Sequence, residues 1–215
     1  MPIPTTAEVL AKLNGYPRTL TWVSFRKVRS SLSPPHQAMT SARWTSGGYS
    51  TRLVDGKYRP VFNGNSIVTV AINTVSTWVV NDPAAQTDTL LRHEQGHFDI
   101  TGLIARDLCR DLMSIEMSQD IIAIGRDLPP RPSAGQLLRA GHAYVQSQVD
   151  RCGREATALS NRLQSHYEAG VLVDGLYDVE TQHSQNLLAQ GKWNDMFRFA
   201  RDNDTSLSLT MLIWA

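Results

Sequence analysis

The stretch LLRHEQGHFDI, residues 90–100, decides how the rest of the chain is interpreted. His93 and His97 are four positions apart, and Glu94 directly follows the first histidine. On a helix, residues four apart project from the same face, so two imidazoles can share a tetrahedral metal ion. A glutamate beside them can take a proton from a water molecule that zinc activates. The stretch therefore predicts a zinc-binding helix, with His93 and His97 as ligands and Glu94 as general base.

The segments around the motif favour two long helices. After a cap at Asp82 or Thr87, apolar residues recur at helical spacing to about Ser118. The loop DLPPRPSAG, residues 127–135, ends that helix, and a second helix is predicted from Ser133 to Ala169. Its apolar stripe predicts packing against the first helix. Cys109 and Cys152 lie on these two helices, where they either form a disulfide or remain two buried thiols.

Residues before the motif carry strand patterns. The segments 18–28 and 66–80 are rich in Val, Ile, Thr and Trp, and Gly-Gly, Asp-Gly and Asn-Gly pairs lie between them. These patterns predict a small, twisted, mostly antiparallel sheet of four or five strands. We expect the strand within Ser66–Val80 to offer an open edge to an extended peptide.

A catalytic zinc site requires a third protein ligand. Asp99 points to another face of the helix and is expected to form an ordinary ion pair, and no Glu or His lies three to seven residues beyond His97. His183 is favoured because it follows two turn signals, in a segment that can close over a site. Glu180, three residues earlier, is the next candidate, either as a ligand or as a partner that orients a histidine. The other candidates are His36, His142 and His166.

The block HEQGHFDI, the segment YDVETQH and the pair Trp193-Asn194 resemble a bacterial family, domain of unknown function 922, whose members are regarded as zinc-dependent proteases. The resemblance covers most of residues 20–195. It implies a Tyr-Asp-x-x-Thr-x-His segment formed by Tyr177, Asp178, Thr181 and His183, with His183 as third ligand. Ser184 stands where the family has glycine. The resemblance implies a secreted or periplasmic protein. The signal peptide common in the family is missing from this sequence, however, so the sequence itself does not indicate that location.

Composition excludes several partners. Lys and Arg number 21 against 20 acidic residues, so no net field attracts a nucleic acid. No apolar run is long enough to span a bilayer.

Together these features predict one zincin-like α+β domain over 1–215. Its parts are a strand-rich region (1–82), an active-site helix (83–126), a second long helix (127–170) and a third-ligand segment with a tail (171–215), the tail being a strand or a loosely docked end. The predicted function is that of a Zn²⁺-dependent endopeptidase acting on a polypeptide, with Tyr177 as a donor to the developing oxyanion or as an aromatic residue packed at a turn. The alternatives are a catalytically silent binding or inhibitory module, a structural protein without metal, and a zinc-dependent amidase acting on a non-protein substrate.

Overall fold

Helices and small sheets form an α+β arrangement, as the sequence predicts. The computed structural model describes residues 3–33, 36–124, 129, 131–168 and 171–214. The helices are α1 (Thr6–Lys12), a 3₁₀ turn (Trp22–Ser24), α2 (Asp88–Ser114), α3 (Gln119–Ala123), α4 (Ala134–Leu163), α5 (Leu176–Thr181), α6 (Leu187–Asp202) and α7 (Leu207–Trp214). The strands are β1 (Leu13–Asn14), β2 (Arg26–Val28), β3 (Ala38–Met39), β4 (Ala42–Ser46), β5 (Tyr49–Val54), β6 (Lys57–Phe62), β7 (Val68–Ile72), β8 (Trp78–Val80), β9 (Met117–Ser118), β10 (His166–Glu168) and β11 (Val171–Val173).

Helix α2 lies at the centre of the core. Thr87 begins it, because its side chain accepts a hydrogen bond from the Leu90 N–H. The second half of α2 is buried on most of its circumference and contacts α4, α6 and the sheets. A helix that is buried almost all round belongs to the core of a domain rather than to its surface.

The predicted packing of the second helix against α2 is confirmed. Val145, Cys152, Ala156 and Leu163 form the buried stripe of α4, and α4 contacts α2. The helix ends at Leu163 rather than at Ala169, because the chain turns there into the hairpin of β10 and β11. Cys109 and Cys152 are both buried free thiols, so they do not form a disulfide.

The strands form several small sheets rather than the predicted single sheet. Three sheets have three strands each, in the orders β1-β7-β4, β2-β8-β3 and β5-β6-β9, and β10 pairs with β11. The pairs β1-β7 and β2-β8 are parallel, and the other pairs are antiparallel. The apolar run 66–80 is divided between β7 and β8 by a turn in which Asn73 Oδ1 accepts hydrogen bonds from the N–H groups of Val75 and Ser76.

The predicted edge strand is wrong. β7 lies between β1 and β4, and β8 lies between β2 and β3, so both strands of the run 66–80 are central. The edge strands that contact α2 are instead β1, β3 and β4, which each pair with one strand within the described ranges.

The C-terminal tail forms helix α7 rather than a strand, and its buried residues Leu207 and Thr210 pack it onto the core. Arg106 of α2 is buried and donates to the carbonyl oxygens of Ala200 (2.8 Å) and Thr205 (2.6 Å), which ties α6 and its following loop to α2. In the described part of the chain, no helix is long and apolar enough to cross a membrane.

Candidate metal centre

Helices α2 and α5 bring two of the predicted ligands, His93 and His97, together with Asp178, which was not predicted as a ligand. His93 and His97 lie on one face of α2, with their rings 4.9 Å apart between centroids. Helix α5 places Asp178 opposite them, and the same carboxylate oxygen, Oδ1, lies 3.2 Å from His93 Nε2 and 3.0 Å from His97 Nε2. The motif and the segment YDVETQH therefore meet at one buried point.

The ring of His93 is held in one orientation. Its Nδ1 lies 3.3 Å from Gln190 Oε1 and 3.3 Å from Thr181 Oγ1. Because an amide oxygen can only accept a hydrogen bond, Gln190 favours the tautomer that carries the proton on Nδ1. If a metal ion replaced the proton between His93 Nε2 and Asp178, Nε2 would present its lone pair to that ion while Nδ1–H stayed bonded to Gln190.

The carboxylate of Asp178 is also oriented. Its second oxygen, Oδ2, accepts a short hydrogen bond from Ser165 Oγ, and Ser165 Oγ in turn accepts from the Gly175 N–H at 3.2 Å. Burial by itself raises the pKa of Asp178, but His97 and the hydrogen bonds from His93, His97 and Ser165 outweigh burial and hold the pKa well below its usual range. Asp178 is therefore a carboxylate with one oxygen committed to the two histidines.

His97 responds to the same neighbour. Burial lowers the pKa of His97, but the negative charge of Asp178 and its hydrogen bond outweigh burial and raise the pKa to about 9. A side-chain hydrogen bond to Gln164, at the end of α4, acts in the same direction. A metal ion competes with this proton for the ring nitrogen, so metal binding at His97 releases a proton.

Tyr177 lies behind the histidines and is fully buried. Its ring stacks on His93 at 4.9 Å between centroids, and its hydroxyl donates to the His93 carbonyl oxygen at 3.0 Å and contacts Gln190. Burial raises the pKa of Tyr177, so the phenol stays protonated. The Tyr177 hydroxyl, predicted as a possible donor to the oxyanion, is therefore already hydrogen-bonded to α2 and to Gln190.

Gly96 explains how Tyr177 comes so close to α2. A Cβ at this position would lie 2.0 Å from the Tyr177 hydroxyl oxygen and 2.4 Å from its Cζ. No side chain larger than hydrogen fits there without moving the tyrosine. The glycine inside HEQGH therefore belongs to the site, because it lets α5 pack directly onto the helix.

Glu94 is buried with one oxygen unpaired. The residue is 3% exposed, and Oε2 has no hydrogen-bond partner among the residues that the structure describes. A buried carboxylate oxygen without a donor is costly, and it is found mainly where a ligand or water supplies the missing hydrogen bond. Glu94 lines the same cleft as His93.

His183 and Glu180 occupy different positions. His183 Nδ1 lies 3.5 Å from Asp178 Oδ1, and the ligand atoms of His93, Asp178 and His183 all lie within 4.8 Å of one another. Glu180 Oε2 instead accepts a hydrogen bond from Trp193 Nε1 at 2.8 Å. Glu180 belongs to none of the groups within the described chain that could hold a metal.

The cleft over this cluster has two parts, of about 280 and 360 Å³, which share His36, Ala38, His93 and Glu94. One wall is the chain from β3 to the start of β4. Val80 N–H donates to the Gln37 carbonyl, and Asn73 N–H donates to the Ser41 carbonyl. In an antiparallel pair every second residue has its backbone groups turned away from the partner strand. The backbone groups of Ala38 and Ala42, the next residues along, therefore point away from their sheets. Both residues line the cleft, and their backbone groups are not paired within these sheets.

The remaining candidates lie elsewhere or have other partners. Asp99 forms an ion pair with Arg201 at 3.2 Å, as its position on the helix predicts. His142 is exposed on α4, and His166 Nδ1 contacts the Gln164 carbonyl in β10. His36 lies in a loop, and its ring contacts His183 at 4.5 Å between centroids.

Asp178 and Thr181 belong to the predicted motif, but no role at the metal was predicted for either of them. Nothing in the sequence indicates Gln190, Ser165 or Gln164. Only the polar character of YDVETQH and its spacing, which places Tyr177 and Thr181 on one helical face, could have pointed to this segment as a whole.

No family model, no curated protein and no solved structure matches this chain. The donor atoms fit a metal in part: those of His93, Asp178 and His183 all lie within 4.8 Å of one another, and His97 reaches this group through its contact with Asp178. Two imidazole nitrogens 3.0 and 3.2 Å from one carboxylate oxygen approach the separation of about 3.3 Å expected between ligands bound 2.0–2.1 Å from a tetrahedral zinc ion.

Proposed function

We propose that this chain is a zinc-dependent hydrolase of the zincin-like class that cleaves peptide bonds, as the resemblance to the domain of unknown function 922 family implies. The observation that carries the proposal is the buried, unpaired carboxylate oxygen of Glu94 beside a His-His-Asp donor set at a cleft. A structural ion pair or a chance pair of histidines would not require that unpaired oxygen.

His93, His97 and Asp178 are the proposed ligands, with Asp178 in the place that the sequence gave to His183. Asp178 Oδ1 is 3.2 and 3.0 Å from the two motif histidines and 3.5 Å from His183, which is the most exposed of the three histidines. Two imidazoles and one carboxylate form a common catalytic zinc set, which leaves one position for water or substrate. Zinc held there would lower the pKa of a water molecule towards neutrality and polarise a substrate carbonyl.

Glu94 is the proposed general base. Its unpaired Oε2 takes a proton from the water whose oxygen attacks the carbonyl carbon. When the C–N bond breaks, Glu94 returns the proton to the leaving nitrogen, so its carboxylate is regenerated. Burial excludes bulk water from this carboxylate and strengthens its interaction with the reacting atoms.

The proposed substrate is an extended peptide. The unpaired backbone groups at Ala38 and Ala42 can pair with a peptide that adds as a strand along the cleft. Thr40 lies between them and lines the cleft, and its hydroxyl oxygen is buried with no partner in the described ranges. Backbone pairing would position a scissile bond with little dependence on side chains, which suits a polypeptide better than a small non-protein amide.

Tyr177 is proposed to be a positioning residue rather than a donor to the oxyanion. Its hydroxyl is already shared between the His93 carbonyl and Gln190, and Gln190 in turn holds His93. Through these contacts Tyr177 sets the orientation of the first ligand.

The test combines zinc content with cleavage of an unfolded, fluorescently labelled protein. We expect one tightly bound zinc in the wild type, none in His97→Ala, and full zinc in Glu94→Gln with turnover lowered by about 10²–10⁴-fold. His142→Ala removes an exposed histidine outside the cleft and should match the wild type. Cleavage by Glu94→Gln at the wild-type rate would contradict the role of Glu94.

Two variants test whether Asp178 or His183 is the third zinc ligand. Asp178→Asn should weaken zinc binding by well over tenfold, whereas His183→Ala should keep the tight ion; the reverse result would restore His183 as third ligand. Stoichiometric zinc without cleavage in the wild type would favour the silent binding module. Absence of zinc would favour a purely structural role for the histidines.

A further inference from the structure

A second group of possible ligands lies beside the first. The ligand atoms of His36, Asp174 and His183 are within 4.8 Å of one another. His36 precedes β3, Asp174 follows β11, and His183 follows α5. Three separate loops thus converge on one point, and none of these residues belongs to the ligand set proposed above.

His183 faces both groups. Its Nδ1 lies 3.5 Å from Asp178 Oδ1, and its Nε2 lies 3.5 Å from Asp174 Oδ2. A neutral imidazole carries one proton and one lone pair. If Asp178 is a metal ligand, its carboxylate favours the tautomer of His183 with the proton on Nδ1, as outer partners of metal sites commonly do. The lone pair of Nε2 then points towards Asp174 and His36.

The backbone that carries His183 is strained. Gln182, His183 and Ser184 have φ values of 48°, 49° and 79°, in the left-handed region that side-chain-bearing residues rarely adopt. Strain of this kind is unfavourable and persists mainly where the surroundings impose it. Three consecutive residues in this conformation indicate that the surrounding structure, and not the turn alone, fixes the position of His183.

We propose that His36, Asp174 and His183 bind a second transition-metal ion at the entrance to the cleft. The proposal rests on the proposed function, because it requires Asp178 rather than His183 to complete the first site. Two imidazoles and one carboxylate favour Zn²⁺ and its neighbours over Mg²⁺ or Ca²⁺, which prefer oxygen ligands.

The second ion binds more weakly than the first. The side chains of His183 and Asp174 are 30% and 42% exposed, whereas those of His93 and Asp178 are 3% and 4% exposed. Exposed ligands are hydrated and mobile before binding, so more order must be imposed on them. His36 and His183 line the same part of the cleft as Glu94, so an occupied second site narrows the approach to the general base.

The test is a calorimetric titration of the metal-free chain with Zn²⁺, in the presence of excess Mg²⁺. We expect two binding steps in the wild type and in the control His142→Ala. His36→Ala and Asp174→Asn should keep the tight step and weaken the second by at least tenfold. His97→Ala should lose the tight step and keep the weak one.

The outcomes separate this proposal from the proposed function. A single tight step in the wild type would overturn the second site while leaving the first in place. Loss of the tight step in His36→Ala would also overturn it, because His36 would then belong to the first site. A weak step unchanged in both His36→Ala and Asp174→Asn would be adventitious binding and would refute the assignment, and no binding in the wild type would refute both sites.

Discussion

Replacing Gly96 with alanine tests how α5 is held against the motif helix. The new Cβ would lie 2.0 Å from the Tyr177 hydroxyl oxygen, against about 3.5 Å for ordinary contact, so the tyrosine must move by roughly 1.5 Å. Overpacking of this kind costs about 1–3 kcal/mol, and weakening the two hydrogen bonds of the hydroxyl costs about 0.5–1.5 kcal/mol each. The substitution also stabilises the helix by up to about 1 kcal/mol, because alanine favours the helix more than glycine does. The expected net loss of stability is about 1–6 kcal/mol.

Gly153→Ala is the matched control. Gly153 lies inside the long helix α4, and a Cβ there would meet nothing within 4 Å. The same substitution should therefore stabilise the protein by up to about 1 kcal/mol. The two variants are predicted to change stability in opposite directions, although both replace a helical glycine with alanine.

Urea unfolding in the presence of a chelator measures the packing effect without any contribution from metal. With a slope of about 2 kcal/mol/M, Gly96→Ala should lower the midpoint by roughly 0.5–3 M. Because Asp178 follows Tyr177 directly, its carboxylate should be displaced as well, and zinc affinity should fall at least tenfold. A Gly96→Ala protein that unfolds at or above the wild-type midpoint and binds zinc equally well would refute this account of the site.

Three further substitutions have distinct expected outcomes. Tyr177→Phe removes the hydroxyl shared with Gln190, and should cost about 1–3 kcal/mol in urea unfolding and weaken zinc binding measured by competition with a chelator; an unchanged affinity would argue against a positioning role. Gly102→Ala would bring a Cβ to 2.0 Å from Tyr16 Cδ2, and should lower stability by about 1–3 kcal/mol while leaving zinc stoichiometry at the wild-type value. Ser184 has a φ of 79°, which glycine adopts without strain, so Ser184→Gly should raise the free energy of unfolding by about 1 kcal/mol and with it the midpoint of thermal unfolding. A lower midpoint would show that the serine side chain contributes to stability.

Much of the helical framework could be predicted locally. Thr87 caps α2 and the apolar spacing after it has the helical period, so the presence of the helix and the shared face of His93 and His97 follow from residues close together in the chain. The stripe on α4 was predictable for the same reason. Strand pairing was not, because the partners of β7 and β8 come from four distant segments that sequence alternation does not identify.

The metal centre shows the same division. Composition and spacing alone determined a helix that presents two imidazoles and a glutamate on and beside one face, since helical geometry depends on neighbours three and four residues apart. Only the tertiary structure decided that Asp178, 85 positions after His93, lies nearer to both motif histidines than His183 does. That choice depends on the close approach of Tyr177 to Gly96 and on the hydrogen bond from Ser165 that turns Asp178 Oδ1 inward. Such contacts join three segments of the chain, and their energies depend on packing that no single segment encodes.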